Sequence, residues 1–170
     1  MNIRTIAFAA LLAATATTAS AQEVFNEIRN KAAEIAGNPA TDNITKQINQ
    51  FKADALNYMA MKMKETMPDS TVAFLDKQAM AMNNFMLMYM KNLIECRTLP
   101  QKMQVKVIKL FMDASYSNPL FNDDDTELTL SYYADGKSLT RFSLDTDWRR
   151  ANAAAYDGMV KITEQAKTKQ

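Results

Sequence analysis

Phe85-Met86-Leu87-Met88-Tyr89-Met90 decides how the rest of the chain has to be arranged. Six apolar residues in succession leave a helix no polar face at this level. A helix apolar all round belongs at the centre of a bundle. As helix the run reaches only about 9 Å, far short of the roughly 30 Å of a bilayer core, so it is not a membrane span. Its flanks extend the helix to residues 70–96. Asp69 or Ser70 is placed to cap its start, and Cys96 lies at its end.

Towards the N-terminus, Met67-Pro68-Asp69-Ser70 breaks the pattern. Before the break, Ile44, Ile48, Phe51, Ala55 and Met59 recur at spacings of three and four, which predicts a helix starting after Thr41 or Asp42. Residues 23–36 predict a first helix with Val24, Ile28, Ala32 and Ile35 on one face. Gly37 stands where a left-handed C-cap belongs.

Towards the C-terminus, residues 100–114 predict a fourth helix, although Met103, Val105 and Val107 alternate with polar residues as a strand does. Ser117-Asn118-Pro119 ends it. Residues 127–133 and 139–144 then alternate apolar and polar around Ala134-Asp135-Gly136-Lys137, which reads as a β-hairpin. With Gly136 as a bulge residue, Leu128, Leu130, Tyr132, Phe142 and Leu144 gather on one face. A one-residue slip splits that set. A last helix begins at Asp147 or Trp148 and carries the stripe Trp148, Ala151, Ala155, Met159, Ile162 and Ala166. The expected fold class is therefore α+β: a Met-rich bundle of about four helices, then a β-hairpin, then a C-terminal helix.

Residues 1–21 read as a signal peptide. Arg4 supplies a basic start, residues 6–14 an apolar stretch, and Ala19-Ser20-Ala21 a small-x-small cleavage pattern before Gln22. The expected location is the bacterial periplasm or the exterior. Cleavage leaves about 150 residues, 22–170, enough for a single α+β domain. Arg4 is the leader's one charged side chain, so the remainder carries balanced charge. A neutral chain lacks the footprint of a nucleic-acid binder.

Several chemistries are excluded outright. Histidine is absent, which removes Ser-His-Asp and Cys-His catalysis and every His-ligated metal. Three glycines, Gly37, Gly136 and Gly158, are too dispersed for a phosphate loop. The single cysteine, Cys96, permits no internal disulfide, and no cysteine follows the leader to carry a lipid anchor. No cofactor is expected.

What remains is a short set of candidates. Of 13 methionines, Met59, Met63, Met82, Met86 and Met90 lie on two facing helices, where thioethers suit a soft metal such as Cu(I). Successive Met-x-Met residues diverge by about 200° around a helix, which favours core packing or an apolar groove instead. Asp123, Asp125, Asp145 and Asp147 flank the expected hairpin. There a hard cation such as calcium relieves like charges across the ladder, unless the carboxylates serve turns and caps. The same acids are the only basis for a carboxylate hydrolase. Trp148 beside them is either an exposed platform or an anchor for the last helix. The reading that follows is an exported, soluble, non-catalytic binding or interaction protein. Its partner is a protein or a small apolar ligand, with no nucleic acid and no transmembrane segment after cleavage. A metal-handling protein and a hydrolase are the alternatives. Oligomeric state is left open.

Overall fold

The structure, a computed structural model, describes residues 23–98, 100–121 and 142–167. The leader lies outside these, as do residues 122–141, which hold Asp123, Asp125 and most of the expected hairpin. Five α-helices account for nearly everything described: α1 (Glu23–Gly37), α2 (Asn43–Thr66), α3 (Val72–Glu95), α4 (Gln101–Tyr116) and α5 (Trp148–Lys167). A short 3-10 turn, Cys96–Thr98, follows α3.

Local chemistry explains the boundaries. Asp42 caps α2: Thr45 N–H donates to its Oδ1 at 3.0 Å, and that bond holds the carboxyl below its ordinary range. The helix closes with Met67 N–H donating to Met63 O, and Pro68 follows. α1 is capped from another element, because Phe25 N–H donates to Asp76 Oδ1 of α3 at 2.9 Å. Gly37 stays within α1 with no positive φ, so the expected left-handed cap is not formed there. The alternation at Met103, Val105 and Val107 is overridden by helix: Val107 is buried and Val105 is exposed.

α3 touches each of the other four helices, while α1 also packs on α2 and α4 on α5. The centrality expected of the Phe85 to Met90 level is therefore real, but not on every side. Met82, Phe85, Met86 and Tyr89 are buried, whereas Leu87 is 51% exposed. Phe85 is the hub of the core. Its ring meets Phe111 of α4 at 5.2 Å, Phe142 at 5.3 Å and Trp148 of α5 at 5.4 Å, all edge-on. Phe51 of α2 and Tyr89 complete the cluster through Phe142. Edge-to-face pairs of this kind add about 0.5–1.5 kcal/mol each beyond area burial.

The α+β expectation is corrected. The described residues are helical with no strand, and residues 142–144, the described end of the hairpin, are irregular. Phe142, Ser143, Leu144, Asp145 and Thr146 are all buried, so the alternation that suggests a half-exposed strand does not operate here. The physical reason is side-chain competition for the backbone. Ser143 N–H donates to Ser115 Oγ at 2.8 Å and Thr146 Oγ1 donates to Ser143 O at 2.8 Å, bonds that a neighbouring strand otherwise has to supply.

Candidate functional site

The carboxylates come first. Asp145 Oδ1 accepts the N–H groups of Leu120, at 3.0 Å, and Phe121, at 2.7 Å, tying the turn after α4 to the approach of α5. Asp147 is the N-cap of α5. Its Oδ1 accepts from Arg149 N–H at 3.1 Å, and Gln78 Nε2 of α3 donates to the same oxygen at 2.9 Å. Gln78 Oε1 in turn accepts from Trp148 N–H at 2.8 Å, so one buried amide holds both the capping carboxylate and the first N–H of α5. Both candidate aspartates thus serve protein donors. Asp123 and Asp125 lie outside the described residues. Among the described residues no group of three acidic or cysteine side chains is placed to hold a metal ion.

Trp148 is an anchor rather than a platform. Its ring is fully buried against Phe51 and Phe85. Among the described residues its indole N–H has no hydrogen-bond partner, a cost of about 1–3 kcal/mol that the aromatic packing offsets.

Met59, Met82 and Met86 are buried in the core, and Met63 and Met90 pack half-buried against it. Flexible thioethers here fill the space between rings and helices. Cys96 is buried as well, with Sγ 3.5 Å from Leu93 O.

Two ionisable groups are strongly displaced. Burial, then repulsion from Lys31, lowers Lys52 to about 8, and its Nζ donates to Asn83 Oδ1 at 2.7 Å. Burial, then Cys96, pushes Tyr89 up to about 12. Tyr89 belongs to the core and Lys52 bridges α2 to α3.

Among the described residues, a groove of about 630 Å³ between α3 and α5 is able to take a ligand. Leu87 and Met88 of α3 face Tyr156, Met159 and Val160 of α5 across it, while Lys91, Glu95 and Glu164 edge it. Tyr156 is 62% exposed, Leu87 51% and Val160 39%. α5 begins beside Gln78 and Phe85 and reaches Glu164 opposite Glu95, so the two helices run in the same direction. The groove is open to solvent, which suits an elongated occupant better than an enclosed small molecule.

Of the metal candidates read from sequence, none lines this groove. The sequence carried a trace of it. Tyr156 and Val160 stand four apart, off the Trp148-Ala151-Ala155 stripe, which marks a second apolar strip on α5. No family model matches the chain, and no curated protein or solved structure shows a significant match to it.

Proposed function

We propose that this is an exported, non-catalytic interaction protein that receives a helix of its partner in the groove between α3 and α5. The observation that carries the reading is apolar side chains from two helices, Leu87, Tyr156 and Val160, exposed to water and converging on one groove. Exposed apolar surface with a charged rim is the mark of an interaction site, and helix-in-groove docking uses such anchors at helical spacing. The polar residues that suggest catalysis support the same view, because Asp145 and Asp147 are occupied in capping backbone. Export is supported by residues 1–21.

The dye 1-anilinonaphthalene-8-sulfonate tests the surface. With protein at about 0.1 µM, where weak complexes are dissociated, its fluorescence is expected to rise and shift to the blue. Val160→Glu is expected to abolish that rise with helicity intact. An equal signal from wild type and Val160→Glu overturns the reading. N-terminal mass spectrometry of protein from the cell envelope is expected to start at Gln22. An intact Met1 in the cytosolic fraction removes the export claim.

A further inference from the structure

We infer that the helix received by this groove is α3 of a second copy of the chain, docked antiparallel about a two-fold axis at Leu87. The inference names the partner for the docking reading above and rests on it. Three observations support it.

The first is a row of side chains. Met80, Leu87 and Ile94 recur every seven residues on the outer face of α3 and are 53%, 51% and 47% exposed. The row spans about 21 Å of helix. It lies beside the groove on the same face, so ridge and socket are adjacent. A two-fold contact needs this arrangement, since each copy must offer both halves of the fit.

The second is that the row is symmetric about its centre. Reversing α3 about Leu87 sets Leu87 on its counterpart, Met80 on Ile94 and Ile94 on Met80, giving three apolar layers in register. Lys91 then comes within one residue of the level of Asn84 across the axis, with the amide oxygen available to the ammonium.

The third is charge. Lys77 and Lys91 are exposed cations along this strip of α3, whereas the far end of the groove is edged by Glu95 and Glu164, with Lys161 exposed beside them on α5. With α3 and α5 parallel within one copy, the reversed α3 of the other brings Lys77 to the level of Glu95 and Glu164. A parallel arrangement instead stacks like charge on like. The pairs sit on the rim, so they choose orientation while the apolar rows supply affinity.

Sedimentation equilibrium and oxidative cross-linking test this. Wild type is expected to pass from monomer to dimer between about 1 and 100 µM. Leu87→Glu is expected to stay monomeric with unchanged circular dichroism, since its side chain is half outside the core. In a Cys96→Ala background, Leu87→Cys is expected to form an intermolecular disulfide under mild oxidation. Val105→Cys, exposed on α4 away from this face, is expected not to. A wild-type monomer throughout that range overturns the self-pairing. So does a dimer that survives Leu87→Glu, or cross-linking at Val105 as complete as at Leu87. A monomer that still shows the Val160-dependent dye signal sinks the second copy as partner and leaves the docking groove standing. A monomer with no such signal sinks both.

Discussion

Asp145 joins two parts of the chain 25 residues apart by accepting two backbone N–H groups on one oxygen. Charge-assisted bonds of this type are about twice as strong as neutral ones. Removing the acceptor leaves the Leu120 and Phe121 N–H groups without it. Asp145→Ala is therefore expected to lower unfolding free energy by about 2–4 kcal/mol in urea titration. Adding calcium is expected to restore none of it, since the loss is of backbone partners. Lys52 sets a different dependence. Its ammonium is held at about 8 against 10.5 when unfolded, so between these values the unfolded chain keeps a proton the folded chain has released. The burial penalty is fully present below pH 8, and stability rises as pH climbs from about 8 towards 10.5. Tyr89 acts oppositely above pH 10, where the unfolded phenol ionises and the folded one does not. Urea titrations from pH 7 to pH 9.5 are expected to show the rise. Lys52→Met is expected to flatten it and to gain about 1–3 kcal/mol at pH 7.

At the level of elements, the helices were legible because each carries a stripe of period 3.6 that meets a neighbour. Ile48, Phe51, Ala55 and Met59 of α2, and Trp148, Ala151 and Ala155 of α5, are buried as their spacing requires. Errors came where a stripe is not the whole story. Phe25, capped and covered by α3, was overlooked in α1 because Asp76, its partner, is 51 residues away. Residues 142–144, the described end of the expected strand 139–144, are irregular because Ser143 does not lie on the solvent side of an alternation. Instead Ser143 is hydrogen-bonded internally, a contact set by Ser115 of another element. The run Phe85 to Met90 predicts a buried Leu87, and neither it nor Tyr156 and Val160 reads as surface, because apolar residues default to the core in any reading by pattern. Helix contact also explains Gly158. A methyl there meets the terminal methyls of Leu110 on α4, whose side chain has to turn to admit it. Gly158→Ala gains about 1 kcal/mol of intrinsic helix preference but meets that collision. In a Leu110→Ala background the collision is gone. A double-mutant cycle is expected to show Gly158→Ala more favourable by at least about 1 kcal/mol in the second background.

Across the molecule, cohesion is centred on one helix and one ring. α3 contacts all other helices, and Phe85 meets rings from α4, α5 and the segment before α5. A domain organised this way has no independent half. Phe85→Ala is expected to cost about 3–5 kcal/mol, a large share of the stability of a domain this size. Circular dichroism and Trp148 fluorescence are expected to report one coincident transition, shifted to lower temperature. Separate transitions for the two probes contradict a single cooperative core.

The hydroxyls of Ser115 and Thr146, 3.0 Å apart, have a further consequence. Ser143 N–H donates to Ser115 Oγ and Thr146 Oγ1 donates to Ser143 O, so Ser115 is the donor of the middle bond and a closed circuit links the end of α4 to the entry of α5. Asp145 locks the same junction from its other side through Leu120 and Phe121. Leu120 and Phe121 on one side and Ser143 and Thr146 on the other are thus held together at one junction. Because every member of the circuit both gives and receives, removing one hydroxyl strands its neighbours, and the α4–α5 junction holds or opens as a unit.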